Sequence, residues 1–506
     1  MHPYYDSFKR IKRSHQIDER FTANGDYHDE SSSLFWQSRA QLTLRNHLIK
    51  ERNVNIAKNV IFFLGDGMSI PTLTAARIYL GQNRGSNGEE SRLSFESFPY
   101  TGLSKTYCVD KQVPDSACSG TAYLCGVKGN FQTIGVNARV KVNDCKASKE
   151  KSNQVHSLAA LALEEGKSAG LVTTTTVTHA SPAAVYAHAS NRNFECDADV
   201  VAFGQDPTQC EDIASQLINN KPGKRLKVVF GGGHTKFLPN NMNDTDENPG
   251  ERKDGRNLIE EWLSDKPKGK FISRKEELDN LNLEELDQVL GLFSSGHMDF
   301  NLDADRMKQP NLVEMTEAAI KILQKDENGF FLFVEGGRID HGHHFAQAMK
   351  ALDETVQFSN AVKRAVELTS REDTLIVVTS DHAHTMSISG YPERGNPIGG
   401  LNSIVSEIDK LPTTTLSYAN GPGYRIVFNS DGTRKNLTEI DFQSNSIYPG
   451  LFPSVAESHG GDDVAVFASG CMSHLFSGVY EQNTIPHIVS YAACLGTGLT
   501  ACNELD

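Results

Sequence analysis

Residues 330–344, FFLFVEGGRIDHGHH, join an apolar run to a dense group of acids and histidines. Residues 330–334 are apolar on both faces of an extended chain, which is typical of a strand inside a covered parallel sheet. Glu335 follows directly, and Asp340 and His344 stand four positions apart, so on a helix they project from one face. The stretch therefore predicts a buried strand followed by a helix whose Asp340 and His344 can share one metal ion.

Similar apolar runs recur along the chain and alternate with stretches of helical periodicity. The runs are 60–64, 169–172, 228–230 and 375–378, and the helical periods lie around 155–165, 311–325 and 345–368. This alternation predicts an α/β, doubly wound fold with a mostly parallel central sheet and helices on both faces. In such a sheet, ligands bind beyond the carboxyl ends of the strands.

Composition divides the chain into four predicted parts. Residues 1–55 are polar and helix-like, and we expect an arm that packs on the body or contacts a second subunit. Residues 56–389 form the α/β core. Residues 390–455, rich in Gly, Pro, Ser, Thr and Asn, are predicted to be an inserted, loop-rich, crown-like subdomain, and residues 456–506 return to the core.

Composition and charge exclude several classes of protein. Over 506 residues the net charge is −14, which argues against non-specific binding to nucleic acid. No run of 18 or more apolar residues predicts a transmembrane helix, and the start of the chain has no visible signal peptide. Nine cysteines without a Cys-x-x-Cys pair, and sequons at Asn243 and Asn436, favour an extracellular or cell-surface setting, with the chain a mature or trimmed form.

Acids follow three of the predicted strands at the point where each strand ends. Asp66 follows residues 60–64, Glu335 follows residues 330–334, and Asp381 follows residues 375–378 and precedes His382. Because parallel strands end at the same edge, these side chains are predicted to converge on a metal site. Zinc accepts imidazole nitrogen and carboxylate oxygen at about 2.0–2.2 Å. His459, followed by two glycines, can supply a further ligand.

Ser116 is the candidate nucleophile, in the segment PDSACSGTA at residues 114–122. Small residues after Ser116 allow a helix to begin there, and a helix N-terminus favours phosphate and stabilises an alkoxide. The alternative is that Asp115 and Ser116 only cap that helix. The chain contains neither Gly-x-Ser-x-Gly nor His-Glu-x-x-His, which disfavours an esterase elbow and a metalloprotease.

Taken together, these segments resemble the animal-type alkaline phosphatases. The matching stretches run in family order across residues 55–502 and are FLGDGM (63–68), DSA (115–117), HASP (179–182), NRN (191–193), EGGRIDHGHH (335–344), DH (381–382) and HGGDDV (459–464). The resemblance implies a metal-dependent phosphate monoester hydrolase of broad substrate range. Such an enzyme acts at alkaline pH through a phosphoserine and releases an alcohol and inorganic phosphate.

Roles for individual residues follow from the same resemblance, with two zinc ions and one magnesium ion per subunit. The implied ligands are Asp340, His344 and His459 for the first zinc, Asp66, Asp381 and His382 for the second zinc, and Asp66, Ser181 and Glu335 for magnesium. Ser116 would be the nucleophile and Arg192 the group that grips the phosphate. His179 and His341 match positions beside the metal ligands.

The resemblance also implies a homodimer with two disulfides, and the sequons at Asn243 and Asn436 are compatible with glycosylation. Family members commonly carry a lipid anchor on the outer membrane surface, and the sequence leaves open whether the full-length form is anchored or freely secreted. The implied pairs are Cys145 with Cys210 and Cys494 with Cys502, Cys125 matches a free thiol, and the pairing of Cys108, Cys118, Cys196 and Cys471 stays open.

One departure from the family pattern concerns a fourth, calcium site that vertebrate-type members often carry. Its acids would fall near Glu247, Ser294 and Gln309, of which two are not acids. Because calcium prefers several carboxylate oxygens, we expect this site to be weak or absent.

Three other functions fit the sequence less well. A sulfatase would need a Cys/Ser-x-Pro-x-Arg segment, which does not occur. A phosphodiesterase relative would typically have threonine in place of Ser116 and lack Arg192. A binding protein that kept only the fold would have lost Ser116, Arg192 or a zinc ligand, all of which are present.

Overall fold

The computed structural model describes residues 30–282 and 285–502. The described residues belong to two compact units, with the boundary between residues 52 and 53. In the first unit, the helix Ser33–Leu48 begins after Ser32, whose side chain accepts a hydrogen bond from the backbone N–H of Leu34 at 3.2 Å. Residues 1–29 of the predicted arm lie outside the described residues, so its role in subunit contact stays a prediction.

The second unit contains the central sheet. In chain order, the strands of the described part of this unit, in the central sheet and in smaller sheets, are β1 Asn59–Gly65, β2 Tyr100–Lys105, β3 Ser168–Thr176, β4 Val228–Gly232, β5 Gly269–Ile272, β6 Gln288–Leu292, β7 Phe330–Gly336, β8 Thr374–Thr379, β9 Ala383–His384, β10 Met386–Ile388, β11 Leu401–Val405, β12 Pro412–Thr414, β13 Leu416–Gly421, β14 Gly450–Pro453, β15 His459–Gly460, β16 Val464–Gly470 and β17 Gly478–Glu481.

Ten of these strands, counted over the described residues, form the main sheet in the order β17-β2-β16-β8-β1-β7-β3-β4-β6-β5. Every neighbouring pair is parallel except the two pairs made by β16, which runs antiparallel to β2 and β8. The prediction of a mostly parallel α/β sheet is confirmed.

Helices connect and cover the strands. Within the described part of the second unit they are Ile70–Gln82, Ser116–Cys125, Cys145–Lys149, Leu158–Glu164, Ala180–Ala183, Asp197–Ala202, Ile213–Asn219, Leu258–Ser264, Lys275–Asp279, Leu312–Leu323, Arg338–His344, Ala348–Leu368, Tyr424–Val427 and Thr484–Ala493. The three predicted helical periods correspond to Leu158–Glu164, Leu312–Leu323 and Ala348–Leu368.

Both faces of the sheet are covered, as strand β1 makes clear. Val60, Phe62 and Leu64 point into one apolar core, while Ile61 and Phe63 point into a second core on the opposite face. Alternate side chains of a strand point to opposite faces, so a strand that is apolar at every position must have helices on both sides. The fold is therefore doubly wound, as the apolar runs predicted.

Register between the central strands aligns their carboxyl ends. Leu64 of β1 lies opposite Glu335 of β7 and Thr379 of β8, and Thr173 of β3 lies opposite Glu335. The residues that follow these strands consequently meet at one edge. Smaller sheets, β10-β13-β14, β11-β12 and β9-β15, lie in or next to residues 390–455 and fit an inserted subdomain, whose exact bounds stay a prediction.

Candidate active site

The three acids predicted at strand ends lie together and are fully buried. Asp66 and Asp381 follow β1 and β8, and Glu335 is the penultimate residue of β7. Gly67 allows the chain to turn away from Asp66 with a φ of +67°, and a Cβ at this position would lie 2.4 Å from the ring of His384. Glycine is required here both by the backbone conformation and by the close imidazole.

The first group, which we call the carboxylate cluster, consists of Asp66, Ser181 and Glu335. Both carboxylate oxygens of Asp66, Oε1 of Glu335 and Oγ of Ser181 are buried without a hydrogen-bond partner. Only Oε2 of Glu335 is satisfied, by the hydroxyls of Thr173 and Thr175. Buried oxygens are normally paired, so this arrangement fits a bound cation that takes oxygen ligands.

Electrostatics support the same interpretation of the carboxylate cluster. Burial raises the pKa of Glu335 to about 7. Burial, together with the neighbouring carboxylates of Asp381, Asp340 and Glu335, raises the pKa of Asp66 well above its ordinary value. Several negative charges so close together are stable at alkaline pH only with a compensating positive charge.

Asp381 and His382 form a second group beside Asp66. Oδ1 of Asp381 accepts the backbone N–H groups of Gly67 at 3.0 Å and of His382 at 2.9 Å. Nε2 of His382 lies 3.2 Å from Oδ2 of Asp381, 3.4 Å from Oδ1 of Asp66 and 3.3 Å from Oγ of Ser116. Burial lowers the pKa of His382 well below its ordinary value, so its imidazole is neutral and suited to metal binding.

The third group, which we call the histidine cluster, consists of Asp340, His344 and His459. Asp340 and His344 share one face of the helix Arg338–His344, as predicted. Nδ1 of His344 donates to the carbonyl of Glu457 at 2.5 Å, and Nδ1 of His459 donates to the carbonyl of Pro114 at 2.8 Å.

These bonds fix the direction of the free nitrogens in the histidine cluster. With Nδ1 protonated, each neutral ring presents the Nε2 lone pair. The Nε2 atoms of His344 and His459 lie 3.1 Å apart, and 3.3 Å and 3.4 Å respectively from Oδ1 of Asp340. Two facing lone pairs beside a carboxylate form a suitable set of ligands for zinc.

His384 and Glu457 belong to this site, although sequence reasoning gave them no role. Nε2 of His384 lies 2.7 Å from Oδ1 of Asp340, and its Nδ1 lies 2.5 Å from Oε2 of Glu457. Burial lowers the pKa of His384, but the carboxylates of Glu457 and Asp340 outweigh burial and raise it to about 10. The signal that could have found His384 is its position two residues after His382, in the segment DHAH.

Ser116 is the first residue of the helix Ser116–Cys125, and Asp115 caps that helix. Oδ1 of Asp115 accepts the N–H groups of Cys118 at 3.3 Å and Gln132 at 3.0 Å, while its Oδ2 accepts Nη1 of Arg192 at 3.1 Å. The capping alternative is therefore correct for Asp115. Oγ of Ser116, however, points to His382 and the metal-ligand groups.

Arg192 is held by two partners at this site. Its Nη1 binds Asp115, and its Nη2 donates to Nε2 of His179 at 2.9 Å. Burial alone would lower the pKa of Arg192, but Asp115 and Asp66 outweigh it, so the guanidinium stays charged. A fixed guanidinium near Ser116 can donate two parallel N–H groups to a phosphoryl group.

A group of three imidazoles lies beyond Arg192. The ring of His341 lies 5.6 Å from His179 and 4.4 Å from His297, and Nδ1 of His341 accepts Nη1 of Arg338 at 2.7 Å. His297 was not predicted, and burial lowers its pKa to about 4.

The ring of His343 lies 4.7 Å from that of His384, but its two nitrogens contact residues outside the metal-ligand groups. Its Nε2 lies 3.0 Å from Oγ1 of Thr72 and its Nδ1 lies 2.9 Å from the hydroxyl of Tyr418. Both ring nitrogens are thus used within the protein, which indicates a structural role for this histidine.

Six cysteines are paired in the structure: Cys108 with Cys118, Cys145 with Cys210, and Cys494 with Cys502. Among the described residues, the free thiols are Cys125, Cys196 and Cys471. The first of these pairs answers a question that the sequence left open.

The remaining predicted positions lie at the surface or away from the clusters. Asn243, Asn436 and Glu247 are exposed. Ser294 donates its hydroxyl to the carbonyl of His297 at 2.9 Å, and the side chain of Gln309 pairs with Asp299. A weak or absent calcium site stays a prediction.

Known proteins similar to this chain were found by sequence and by structure. Residues 57–495 match the family model described as alkaline phosphatase. A membrane-bound alkaline phosphatase of Bombyx mori is 47% identical over 94% of this chain and 87% of that protein. A tissue-nonspecific isozyme of Gallus gallus is 46% identical over 94% of this chain and 92% of that protein.

Solved structures share the fold at lower identity. The alkaline phosphatase of Thermus thermophilus aligns with a TM-score of 0.62 at 23% identity, covering 90% of this chain and 95% of that chain. The enzyme from the Antarctic bacterium TAB5 aligns with a TM-score of 0.59 at 22% identity, covering 88% and 100%.

The chain is similar in sequence to a family of metal-dependent enzymes, and its strand ends carry candidate metal ligands. These two findings together identify the protein as a metal-dependent hydrolase. More particularly, the chain belongs to the alkaline phosphatase family, and it hydrolyses phosphate monoesters at alkaline pH. Within residues 30–282 and 285–502, no helix has the length and apolar character needed to cross a bilayer.

Proposed function

We propose that Ser116 is the nucleophile and that it is phosphorylated and dephosphorylated in each catalytic cycle. The observation that carries this proposal is that His382 and Arg192 both lie near Ser116. Nε2 of His382 lies 3.3 Å from Oγ of Ser116, and Asp115, the residue before Ser116, holds Arg192. A helix N-terminus at Ser116 adds the positive end of its dipole.

We further propose two zinc ions and one magnesium ion per subunit. Asp340, His344 and His459 would hold one zinc, Asp66, Asp381 and His382 the other, and Asp66, Ser181 and Glu335 magnesium. Unpaired oxygens in the carboxylate cluster and facing imidazole lone pairs in the histidine cluster support this assignment. Magnesium prefers oxygen ligands, whereas zinc accepts imidazole readily.

In the proposed reaction Oγ of Ser116 attacks phosphorus while the bond from phosphorus to the leaving alcohol oxygen breaks. The chemistry that bound cations supply is a lowered pKa for the attacking hydroxyl and stabilisation of charge on the apical oxygens. Arg192 binds the equatorial oxygens and is kept in place by Asp115 and His179. The proton lost from Ser116 is balanced by the proton that the leaving alcohol oxygen takes up. Water then attacks phosphorus of the phosphoserine, the bond from phosphorus to Oγ breaks, Oγ regains a proton, and inorganic phosphate leaves.

The test is hydrolysis of p-nitrophenyl phosphate at alkaline pH, with and without chelator, by the native protein and by Ser116→Ala. We expect the substitution to lower kcat by at least about 10³-fold, because removing a nucleophile leaves only binding and charge stabilisation. Ser264→Ala, on an exposed helix end, is the matched control. Activity that survives both the chelator and the substitution would rule out the mechanism.

Assembly and cellular setting complete the proposal. We propose a homodimer, secreted or lipid-anchored at the outer cell surface and glycosylated at Asn243 and Asn436. Exposure of both asparagines and the presence of three disulfides support an extracellular setting. Light scattering and glycosidase treatment of the protein secreted from cells test these points, and a monomer without glycan would contradict them.

A further inference from the structure

The disulfide Cys108–Cys118 lies beside the nucleophile. Cys118 is the third residue of the helix that begins at Ser116, and Cys108 follows strand β2 by three residues. Both cysteines are buried. The bond therefore ties the first turn of this helix to the end of a strand of the main sheet.

The segment that this bond closes carries three of the contacts that organise the site. The carbonyl of Pro114 accepts Nδ1 of His459 at 2.8 Å, Asp115 binds Arg192 at 3.1 Å, and Ser116 faces His382. These three residues are consecutive, so a displacement of the segment would move all three contacts together.

The outer part of this segment, residues 109–113, has fewer contacts than its inner end at Pro114–Ser116, which is buried and hydrogen-bonded. Residues 106–115 form no helix or strand, and residues 109–113 are exposed. The described hydrogen bonds that hold its outer part include Cys108 N–H to the carbonyl of Lys111, Val109 N–H to the carbonyl of Gly129, and Phe131 N–H to Asp110. By contrast, β2 is paired on both sides, with β16 and β17. The disulfide thus adds a covalent link from a paired strand to the first turn of the helix, beside the hydrogen bonds that Asp115 and Pro114 make.

We propose that the Cys108–Cys118 disulfide is a positioning device for the reaction. It holds Pro114, Asp115 and Ser116 so that the zinc ligand His459, the phosphate-binding Arg192 and the nucleophile keep their mutual geometry. This inference rests on the roles given above to these residues.

The chain offers a matched control in Cys494–Cys502. That bond closes a sequence separation of 8, compared with 10 for Cys108–Cys118. The backbone N–H groups of Cys494, Leu495 and Ala501 bind carbonyls of Ser490 and Tyr491 at the end of the helix Thr484–Ala493, and that of Cys502 binds the hydroxyl of Thr500. Removing this bond changes the conformational entropy of the unfolded chain to a similar extent, and it leaves the contacts of residues 114–116 unchanged.

The experiment compares the metal-loaded double variants Cys108→Ser/Cys118→Ser and Cys494→Ser/Cys502→Ser. Measured quantities are kcat and KM for p-nitrophenyl phosphate, the inhibition constant of inorganic phosphate, and Tm, with assays well below Tm. We expect the first variant to lose roughly ten- to a hundredfold in kcat/KM and to bind phosphate more weakly, because small displacements of reacting groups are costly. The control should lower Tm and keep kcat/KM within about twofold.

A lowered Tm with unchanged kcat/KM and phosphate inhibition in the first variant would show a purely structural disulfide and overturn the inference. Should that variant not fold, the native protein is reduced stepwise and alkylated, and kcat/KM is compared with the fraction of Cys108–Cys118 that mass spectrometry finds broken. Full activity in the broken fraction would also overturn it. The proposed role of Ser116 is tested independently, because the Ser116→Ala variant keeps both cysteines.

Discussion

The carboxylate cluster and the histidine cluster lie at the same sheet edge but satisfy their polar atoms differently. In the carboxylate cluster, four buried side-chain oxygens have no hydrogen-bond partner. In the histidine cluster, Nδ1 of each imidazole donates to a backbone carbonyl, and Asp340 is bound by His384. One cluster is incomplete without a cation, whereas the other is oriented in advance by the protein.

This difference fits the proposal that the site holds two kinds of cation. Unpaired oxygens suit magnesium, which prefers oxygen ligands, and under the proposed assignment binding of that ion would stabilise the fold. Imidazoles fixed through Nδ1 suit zinc, and the groups that fix them raise its affinity. We therefore expect substitutions in the two clusters to separate stability from activity.

Asp340→Asn should have the largest effect, because Asp340 is the carboxylate shared by His344, His384 and His459. We expect kcat/KM to fall by about 10³-fold, since a bound metal supplies several kcal/mol of charge stabilisation. Metal analysis should show one zinc fewer. Asp409→Asn, in a surface ion pair with Arg434, is the control. Unchanged zinc content would contradict the assignment.

Glu335→Gln should act in opposite directions on activity and on stability. We expect kcat to fall roughly a hundredfold with loss of magnesium, because a carboxylate ligand is removed. The metal-free protein should become more stable at pH 8, since a buried acid with a pKa of about 7 is replaced by a neutral amide. Thermal unfolding in chelator measures this, and a lower Tm than that of the metal-free native protein would be the contrary result.

Glu457→Gln tests the orientation of the histidine cluster. Glu457 contacts Nδ1 of His384, which in turn binds Asp340. Groups that orient metal ligands in this way are worth about 10- to 100-fold in metal affinity. We expect zinc affinity to fall by that factor and kcat at saturating zinc to change little. Glu317→Gln, at the surface beside Arg364, is the control. Equal zinc affinity in the two variants would argue against this role.

The pH dependence of stability should give the smallest effect. Between the ordinary pKa of 4.5 and a folded-state pKa of about 7, Glu335 binds more protons in the folded metal-free chain than in the unfolded chain. Its contribution therefore lowers the free energy of unfolding as pH rises through this window. Metal should reduce the slope, as measured by urea unfolding with and without chelator. Glu335→Gln should reduce it too, and a slope that stays the same in both would contradict the account.

Much of the fold could be predicted because its central strands are apolar at every position. Apolar runs in β1, β7 and β8, each followed by an acid, identify the sheet edge from the sequence alone. Strand β16 was missed, although Val464–Gly470 is fully buried. Its antiparallel pairing with β8 depends on contacts distant in sequence, which a local pattern cannot reveal.

The residues of the site that sequence reasoning missed also depend on contacts between segments distant in sequence. Glu457 reaches His384 because the two-residue strands β9 and β15 pair, with His459 opposite His384. A strand pairing of two residues is too short to produce a periodic pattern in the sequence. Likewise, Cys108 and Cys118 could be paired only once their Cα atoms were known to lie 5.8 Å apart.

The most direct test of the account is the location of each metal by anomalous diffraction from crystals of the metal-loaded protein, measured on both sides of the zinc edge. The account predicts zinc between Asp340, His344 and His459, and zinc between Asp66, Asp381 and His382. A cation without zinc signal should lie between Asp66, Ser181 and Glu335. Zinc bound by Glu335, or no metal at the histidine cluster in active protein, would contradict it.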